Sequence, residues 1–431
     1  MRSLKALAAR LGCPANGEYL FDRAVIDSRD IRTGSLFFAL SGRKTDGHNY
    51  VADVLGAGGA AVVSRDGFTG AVLEVDSVEE ALLEAGSWAR DSMDFPIVGI
   101  TGSSGKTTTR RMTAAALACE YITSETSGNL NNHLGLPITL LNTPQDTEFL
   151  VLEMGMNHPG ELLRLGWASR PSHALITNIG RAHMEFFQSL EDVAHAKSEL
   201  LQTTEPGGIA LIPEGDPILR RAAEDRELQV FTHGPGGDYW VDKQTAMPWE
   251  IELDLKYSGE HSLRNALCAM AFAEQMGVDP LRAAEAVSMV EPASGRGEVL
   301  RIGNRRVVDE SYNANPDSTE ACLRSVAAAY PPPLVALLGD MLELGEGTDE
   351  YHRKMLSLAD QLGFKKKITV GRHYRQAAEA LGTSGCMWTD TWTEALELLR
   401  SETSEGCTIL VKGSNSMGLW NLVQRLKREG F

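Results

Sequence analysis

The stretch IVGITGSSGKTTTRRMTAAALA (97–118) decides the fold of the middle of this chain. A short β-branched run leads into a loop of glycine and serine, and an alanine-rich run typical of a helix follows. Gly102 and Gly105 let the loop turn tightly, which aims backbone N–H groups and the positive end of the helix dipole at phosphate oxygens. Lys106 adds a charge for the β- and γ-phosphates, and Thr107 adds a hydroxyl for Mg²⁺. The sequence therefore predicts an ATP site.

This loop departs from the standard phosphate-loop pattern, because Ile100 stands five residues before Gly105, where that pattern has glycine. A glycine turn that only begins a helix is the alternative, and the strand–loop–helix context makes it the weaker one. A phosphate loop also does not show what the phosphate is used for. The positions expected to contact ATP are Thr101, Gly102, Ser103, Ser104, Gly105, Lys106, Thr107 and Thr108.

The composition is that of a soluble globular protein of several domains. The chain has 431 residues, 43% hydrophobic and 23% charged, and at about 150 residues per domain this length predicts roughly three domains. With 41 Lys and Arg against 58 Asp and Glu the net charge is −17, which argues against non-specific nucleic-acid binding. Six cysteines without a CxxC pair are expected to be single thiols. No apolar run approaches the roughly 20 residues that span a bilayer, so we expect a cytoplasmic protein with no membrane insertion. We also expect a monomer.

Three blocks can be separated along the chain. Residues 1–94 mix short β-rich runs with glycine turns, residues 95–300 alternate strand-like and helical segments, and residues 301–431 resume that alternation. Strands that alternate with helices predict parallel βαβ units. We therefore predict an α/β fold of three domains: a smaller N-terminal α/β domain, a central doubly wound parallel sheet with the phosphate loop, and a C-terminal Rossmann-like α/β domain. Lys365 to Lys367 is expected in a solvated turn rather than in a binding patch.

Three residues beyond the loop are candidates for the same site. Glu153 ends a strand-like run, at the carboxyl edge where parallel sheets place their ligands, and can hold Mg²⁺ opposite Thr107. His183 follows the next strand-like run, although a lone histidine is more often structural. Lys197 lies in a helix that begins with a capping box, and this pattern alone makes it a lysine on the helix surface.

Four motifs together resemble those of the Mur ligases, cytoplasmic ATP-dependent enzymes that form amide bonds while building the peptidoglycan stem peptide on a UDP-sugar. The motifs are TGSSGKTTT (101–109), LEMG (152–155), NIGRAHMEFF (178–187) and AHAKSEL (194–200). The resemblance covers essentially the whole chain, and the family shares the shortened phosphate loop. It implies that residues 1–94 bind the UDP-sugar substrate, residues 95–300 bind ATP and residues 301–431 bind the incoming dipeptide.

Further motifs are most similar to those of the members that add D-alanyl-D-alanine to UDP-N-acetylmuramoyl-tripeptide through an acyl phosphate. They are SGNLNNHLGLPITLL (127–141), DESYNANPDS (309–318) and LLGDMLELGE (337–346). Members that add the third amino acid, diaminopimelate or lysine, typically have Tyr-Ala-His where this chain has Tyr312-Asn313-Ala314, and carry an Arg-containing Asp-Asn-Pro signature absent here. Such a ligase remains one alternative. A phosphate-loop switch or binding module without ligation chemistry is the alternative from another class.

The resemblance also implies roles for single residues. Lys106, Glu153, His183 and Lys197 are the implied catalytic residues. Two Mg²⁺ ions are implied at Thr107, Glu153, His183 and Lys197, and Lys197 aligns with a carbamylated lysine of the family.

Further implied contacts involve the nucleotide and the substrates. His261 and Asn265 are implied to contact adenine, Arg296 the γ-phosphate and Asp309 the ribose. Asp340 and Lys412, near predicted strand ends, are open between a dipeptide contact and a structural role. The implied substrate contacts are Ser28, Arg29, Lys44, Asp46, His48, Asn129, Asn131, Asn132, Tyr312, Asn313 and Asn315.

Overall fold

The computed structural model describes residues 1–15, 18–42, 45–257, 259–382 and 385–431. Within these residues the chain forms 15 α-helices and 21 strands, and the strands make five sheets. No helix of the described residues combines the length and apolar character that crossing a membrane requires.

The N-terminal domain is built on a parallel sheet with the strand order β3-β4-β5-β6. Its strands are β1 Arg2–Ser3, β2 Leu20–Phe21, β3 Arg23–Val25, β4 Ser35–Phe38, β5 Ala60–Val63 and β6 Val72–Glu74, and its helices are α1 Leu4–Leu11, α2 Val51–Gly56 and α3 Val78–Arg90. Helix α3 approaches the central domain so closely that a Cβ on Gly86 would lie 2.7 Å from Pro137 Cα. Glycine at this position therefore allows the two domains to share one core.

The central domain is the doubly wound sheet that the sequence predicts. Its strands are β7 Ile97–Thr101, β8 Thr123–Glu125, β9 Phe149–Glu153, β10 His173–Ile176, β11 Ile209–Pro213, β12 Gln229–His233, β13 Trp240–Asp242, β14 Thr245–Met247 and β15 Ile251–Glu252. Its helices are α4 Lys106–Leu117, α5 Gly135–Asn142, α6 Glu161–Ser169, α7 Leu190–Thr203, α8 Pro217–Asp225, α9 Glu260–Gln275 and α10 Pro280–Ser288. Six parallel strands run in the order β12-β11-β10-β7-β9-β8, and β13 to β15 form a small antiparallel sheet.

The strand order positions the site. Strand β7 lies between β10 and β9, so the chain reverses its direction of winding at β7, and ligands of such sheets bind at the carboxyl ends of the strands at this point. One face of the sheet packs on α4, α9 and α10, and the other face packs on α5 to α8. All five residues of β7 are buried, as a parallel strand covered on both faces requires.

The C-terminal domain is a second α/β sheet, with the order β16-β17-β21-β18-β19-β20. Its strands are β16 Glu298–Ile302, β17 Arg305–Glu310, β18 Leu334–Gly339, β19 Phe364–Val370, β20 Cys386–Thr389 and β21 Thr408–Lys412, and its helices are α11 Pro316–Ala329, α12 Thr348–Gln361, α13 Arg372–Leu381, α14 Trp392–Glu402 and α15 Leu419–Glu429. Only the edge strand β16 pairs antiparallel among the described strands of this sheet. Lys365 to Lys367 belong to β19, so the expectation of a turn there is wrong.

The predicted fold class is therefore confirmed: two Rossmann-like α/β domains follow a smaller α/β domain. The predicted boundaries between residues 94 and 95 and between residues 300 and 301 stay predictions.

Candidate active site

A cleft of about 850 Å³ lies between the carboxyl edge of the central sheet and that of the C-terminal sheet. The central domain contributes the phosphate loop and the start of α9, and the C-terminal domain contributes the ends of β17 and β21. The structure brings most of the predicted site residues to this one cleft. They are Ser103, Ser104, Gly105, Lys106, Thr107, Thr108, Asn131, Asn132, Glu153, His183, His261, Asn265, Arg296, Tyr312, Asn313 and Asn315.

The phosphate loop needs glycine at two positions for different reasons. At Gly102 (φ 153°) a Cβ would lie 1.9 Å from Thr177 Oγ1, so no side chain fits. At Gly105 φ is 78°, a left-handed conformation that favours glycine, and a Cβ would lie 2.4 Å from Asn265 Oδ1. Thr101, before the loop, and Gly102 itself do not line the cleft in the part of the chain that the structure describes.

The sequence did not reveal that Thr177 and Asn178 brace the loop. Asn178 accepts a hydrogen bond from Ser103 N through its backbone oxygen (3.1 Å) and one from Ser104 N through Oδ1 (3.0 Å). Thr177 Oγ1 donates to Ser104 O at 2.6 Å. Both residues follow β10, and their position at the carboxyl edge, next to β7, was the available signal. The loop is thus held in shape by side chains of the neighbouring strand end.

The start of α4 is open toward the cleft. Among the described residues, no side chain accepts a hydrogen bond from the N–H groups of residues 105 to 108. Lys106 Nζ donates to Gly102 O at 2.7 Å, which folds the ammonium over the loop. Burial lowers the pKa of Lys106, Glu153 opposes this change, and Arg296 lowers the pKa further. Free amides, a helix dipole and a lysine together form a site for an anion such as a polyphosphate.

Glu153 and Thr107 meet beside the loop, as the sequence predicts for a magnesium site. Thr107 Oγ1 donates to Glu153 Oε1 at 3.0 Å, and Asn131 Nδ2 donates to the same oxygen at 2.8 Å. The second oxygen of Glu153, Oε2, is buried and accepts no hydrogen bond. Its nearest ion-pair partner is Arg110 Nε at 3.7 Å. A buried carboxylate oxygen without a donor suits a hard cation such as Mg²⁺.

Arg110 is a second feature that the sequence did not reveal. It lies on α4, is buried, and is 3.3 Å from Glu125 through Nε, yet Nε and Nη1 make no hydrogen bond. Burial raises the pKa of Glu125, and Arg110 and Arg111 oppose that rise. Arg110 therefore lies close to both carboxylates, Glu125 and Glu153, at the floor of the site.

Lys197 is buried, so the expectation of a lysine on a helix surface is wrong. It is 2% exposed, because this face of α7 packs against the central sheet. Burial lowers its pKa well below the ordinary 10.5, and the charge of Lys106 lowers it further. The capping box in the sequence indicated the helix, but the face that packs on the sheet depends on tertiary contacts.

His183 lies at the rim of the cleft, where the two domains touch. Its Nδ1 is 2.6 Å from Glu343 Oε2, across the boundary between the domains. Burial and the charge of Lys106 lower the pKa of His183, whereas the hydrogen bond with Glu343 raises it. A neutral imidazole is the form that binds a metal ion.

The segment around α9 forms the opposite wall of the cleft. Asn265 lies against Gly105, and His261 Nδ1 is buried without a hydrogen bond. His261 Nε2 is 3.8 Å from Glu310 Oε1, and burial lowers the pKa of His261. Ligand atoms of His261, Glu310 and Cys322 lie within 4.8 Å of one another, but Lys412 Nζ is 3.9 Å from Glu310 Oε2 and supplies the positive charge there.

Two predicted nucleotide contacts, Arg296 and Asp309, lie at the boundary between the central and C-terminal domains, here called the hinge. Of the two, only Arg296 lines the cleft that the described residues form. The guanidinium of Arg296 lies 3.8 Å from the ring centroid of Tyr312, at the cleft wall. Asp309 is 1% exposed and does not line the cleft of the described residues. Its oxygens accept hydrogen bonds from Gly295 N and Ser311 N, both at 3.1 Å. In this conformation Asp309 braces the hinge backbone, and its contact with a ribose stays a prediction.

The C-terminal wall is held by hydrogen bonds to backbone. Lys412 Nζ donates to Asn313 O at 3.0 Å, and Asn415 Nδ2 donates to Tyr312 O at 3.0 Å. Asn315 caps α11, where its Oδ1 accepts from Ser318 N at 2.8 Å. These contacts leave the side chain of Tyr312 and the amide of Asn313 in the cleft.

The remaining predicted substrate contacts, apart from Asn132, are not among the described residues that line the cleft. Asn129 lines a neighbouring cavity of about 660 Å³ with Arg110 and Arg111. Asn132 lines the cleft but uses Oδ1 to cap α5 through Gly135 N at 2.9 Å. Lys44 lies outside the described residues. Ser28, Arg29, Asp46 and His48 lie in the N-terminal domain.

Two of the predicted contacts in the N-terminal domain, Asp46 and His48, belong to a hydrogen-bonded cluster. Asp46 Oδ1 is 2.7 Å from His48 Nδ1, and Arg65 Nη2 is 2.5 Å from Asp46 Oδ2. His48 Nε2 accepts from Ser64 N at 2.9 Å, which fixes the ring. The hydrogen bond from His48 is the largest cause that lowers the pKa of Asp46 to about 2. Arg29 is instead exposed and pairs with Asp27 at 2.5 Å.

Comparison with known proteins identifies the family. Two family models match: the Mur ligase middle domain over residues 100–273 and the Mur ligase glutamate ligase domain over residues 295–415. The UDP-N-acetylmuramoyl-tripeptide–D-alanyl-D-alanine ligase of Bacillus subtilis is 31% identical over 99% of this chain and 98% of that protein. This chain belongs to the Mur ligase family.

Two solved structures of Mur ligases match along nearly the whole chain. MurF from Acinetobacter baumannii has a TM-score of 0.89 and 29% identity and covers 100% of both chains. The MurF ligase from Thermotoga maritima, solved in complex with ADP, has a TM-score of 0.81 and 25% identity and covers 94% of this chain and 97% of that one. The Mur ligase resemblance predicted from the motifs is thereby confirmed.

Proposed function

We propose that this protein joins D-alanyl-D-alanine to UDP-N-acetylmuramoyl-tripeptide at the expense of ATP, in the cytoplasmic synthesis of peptidoglycan precursors. The observation that carries the proposal is the match, along nearly all of both chains, to a ligase named for this reaction. The cleft between the two Mur ligase domains supports it, because an open phosphate loop lies there with Glu153 and His183 beside it. The relatives matched at about 30% identity are named for adding the dipeptide, whereas a ligase named for adding 2,6-diaminopimelate covers nearly all of both chains at only 17% identity, which disfavours the related ligase.

Amide formation needs an activated acid, because a carboxylate is a poor electrophile. The γ-phosphoryl group of ATP passes to a carboxylate oxygen of the tripeptide, ADP leaves, and an acyl phosphate forms. The amine of D-alanyl-D-alanine then attacks the carbonyl carbon, the C–O bond to phosphate breaks, and the nitrogen loses a proton. Because acyl phosphates react with water, the cleft has to close during this sequence, and its position between two domains permits closure.

The charges of the cleft fit the attack of one anion on another. The open amides of α4 hold the phosphates, and Lys106 moves from Gly102 O to the transferred group. Arg296, held by Tyr312, approaches from the hinge and adds a second cation. The loop backbone is held in place by Thr177 and Asn178 before the reaction, so the free-energy cost of orienting its amides is already met in folding.

Mg²⁺ fits the oxygen ligands beside the loop. Thr107 Oγ1 and the buried Oε2 of Glu153 would hold one ion, and His183 would bind a second. When bound, Mg²⁺ neutralises phosphate charge and polarises the phosphoryl oxygens. In this role Asn131 orients Glu153 through Oε1, which leaves Oε2 for the ion.

Lys197 fits the chemistry of a carbamate. Its lowered pKa makes the amine neutral at lower pH than usual, and a neutral amine attacks CO₂, forms a C–N bond and releases one proton. The resulting carbamate carries a negative charge close to Lys106 and to the proposed metal ions. A lysine buried beside another cation is thus converted into an anion that this site needs.

The domain layout divides the substrates. The N-terminal domain takes the uridine nucleotide through Arg29, Asp46 and neighbouring loop residues, the central domain takes ATP, and the C-terminal domain takes the dipeptide at Tyr312 and Asn313. We further propose that the protein acts as a monomer, because the described domains of one chain form both walls of the cleft.

An assay of ADP release tests the function directly. Purified protein with Mg²⁺ and ATP receives UDP-N-acetylmuramoyl-tripeptide and D-alanyl-D-alanine, and each substrate is omitted in turn. We expect ADP and pentapeptide in equal amounts, and neither without both substrates. Replacing the pair by UDP-N-acetylmuramoyl-dipeptide with diaminopimelate or lysine should give no product. Amine-independent ATP hydrolysis without a peptide product would instead support a phosphate-loop switch.

A further inference from the structure

The contact between His183 and Glu343 joins two domains at one side chain. His183 belongs to the loop that follows β10 in the central domain, and Glu343 belongs to the loop that follows β18 in the C-terminal domain. Glu343 Oε2 lies 2.6 Å from His183 Nδ1. Both residues have left-handed backbones, with φ of 57° at His183 and 60° at Glu343. Such conformations cost free energy in residues other than glycine and persist where the surroundings enforce them.

Neighbouring contacts hold the two loops together. Glu185 N donates to Glu343 O at 3.0 Å, directly beside the side-chain contact. A Cβ on Gly345 would lie 3.2 Å from Met184 O, so the loops pass each other closely. The loop containing His183 is therefore positioned by the C-terminal domain as well as by its own sheet.

We propose that Glu343 is a positioning residue that orients His183 for metal binding only when the C-terminal domain closes on the central domain. The proposal rests on the proposed function, in which His183 binds the second Mg²⁺. Glu343 accepts a hydrogen bond from the Nδ1–H group of His183 and thereby leaves the lone pair of Nε2 for the ion. Carboxylates that hydrogen-bond the far nitrogen of a metal-binding histidine fix its tautomer and raise its basicity.

This arrangement links chemistry to closure. Since the carboxylate comes from a different domain than the imidazole, an open conformation leaves His183 without its partner. The second ion is then bound weakly until both domains and their substrates meet. The acyl phosphate forms only in the closed cleft, where water is excluded.

A second contact across the same boundary provides a comparison. Arg181 Nη1 donates to Asp317 Oδ1 at 3.0 Å, and this pair joins the same loop to α11 without touching His183. If Glu343 served only as a tie between domains, weakening the Arg181–Asp317 pair by Asp317→Asn would have the same effect as Glu343→Ala. If Glu343 positions His183, only Glu343→Ala changes metal binding.

The test measures Mn²⁺ binding to the full-length protein in the presence of ADP, with electron paramagnetic resonance reporting free Mn²⁺. We expect Glu343→Ala to weaken the second binding step about 10-fold or more, because loss of such an outer partner typically costs 10- to 100-fold in metal affinity. Glu343→Gln should retain most of the affinity, because its amide oxygen still accepts from Nδ1. Glu346→Ala, at an exposed glutamate on the same loop, should leave both steps unchanged.

Three outcomes decide the proposal. Equal Mn²⁺ binding by Glu343→Ala and Glu346→Ala, with His183→Ala defective, rejects the role of Glu343 and leaves the proposed function intact. An equal loss of Mn²⁺ affinity in Asp317→Asn and Glu343→Ala would show that Glu343 only holds the two domains together. Wild-type binding by His183→Ala rejects both the metal role of His183 and this inference, whereas formation of pentapeptide in the ADP-release assay shows separately whether the proposed function stands.

Discussion

The two Rossmann-like domains contain similar strand–loop–helix units whose helices begin in different environments. In the central domain β7 leads into α4, and no described side chain accepts from the N–H groups of residues 105 to 108. In the C-terminal domain β19 leads through Gly371 into α13, and Asp340 accepts from His373 N at 3.1 Å and from Tyr374 N at 2.9 Å. The first helix start is open to an anion, whereas the second already holds one. The fold alone therefore does not decide which domain binds the nucleotide.

The same difference extends to the charges around each sheet edge. At the central edge Lys197 is buried beside Lys106, and Glu153 has a buried oxygen without a hydrogen bond. In the C-terminal sheet the buried Lys367 pairs with Asp360. Charges left without partners cost stability, so they persist where function uses them. We therefore expect substitutions at the central edge to remove activity, and substitutions in the C-terminal sheet to remove stability.

The largest effect is expected at the open helix start. Lys106→Ala should lower kcat/KM by at least about 1,000-fold, because a fixed cation that stabilises charge developing in the transition state is lost. The measurement is ADP release in the presence of both substrates. Lys365→Ala, at an exposed lysine of β19, is the control and should retain wild-type activity. Near-normal product formation by Lys106→Ala would refute the ATP site.

The second effect tests the buried lysine. Lys197→Ala should lower activity by about 100-fold or more, because the negative charge that the proposed carbamate supplies would be lost from the proposed metal site. Short-chain carboxylates such as acetate or propionate should restore part of the activity by occupying the vacated volume, and bicarbonate should not. Full activity of the variant without additives would reject the carbamate.

A loss of stability is expected at the closed helix start. Asp340→Ala should lower the free energy of unfolding by about 1 to 3 kcal/mol, because two helix amides lose a buried charged acceptor. Urea unfolding measures this loss, and ADP affinity should stay within about twofold because Asp340 does not line the cleft of the described residues. Asp340→Asn keeps one acceptor oxygen and should lose about half as much. A large drop in ADP affinity at unchanged stability would contradict the comparison.

The sequence predicts those parts of the site that depend on local patterns. The loop from Gly102 to Thr107 and the position of Glu153 follow from a strand that ends beside a helix start, because parallel strands place their carboxyl ends at one edge. The capped helix with Lys197 was also predictable, and the capping box of Ser189 and Asp192 is present. The fold class follows from the alternation of strands and helices.

Tertiary contacts account for what the sequence could not predict. Which face of α7 packs on the sheet decides that Lys197 is buried, and the pattern of one helix does not show it. Asp309 turns toward the hinge backbone, and Glu343 reaches His183 over a separation of 160 residues. Lys367 is buried in β19 and pairs with Asp360 of α12. Contacts between distant residues, such as Glu343 and His183, give no signal in a single chain without its structure.

The smallest effect compares the two buried lysines. Lys197→Met should raise the free energy of unfolding by about 1 kcal/mol at pH 7, because removing an ionisable group that burial destabilises is one of the usual routes to added stability. Lys367→Met should lower it by up to about 1 kcal/mol, because Asp360 loses its partner. The opposite signs are the decisive result, since both side chains are almost fully buried and differ chiefly in whether a carboxylate lies beside them.

The stability difference between wild type and Lys197→Met should depend on pH, and the pKa of Lys197 sets the direction of that dependence. Because the pKa of Lys197 in the folded protein lies below the ordinary 10.5, the unfolded chain holds more protons between the two values, and stability rises with pH there. Lys106 and His183 face Lys197, and because the charge of Lys197 lowers the pKa of His183, the difference between wild type and variant also contains this coupling. The advantage of Lys197→Met should therefore shrink as the pH approaches 10.5. Urea unfolding measures the difference in unfolding free energy between variant and wild type, in buffer depleted of CO₂ so that the amine stays free. A stability advantage of Lys197→Met that grows with pH would show that Lys197 is stabilised as a cation.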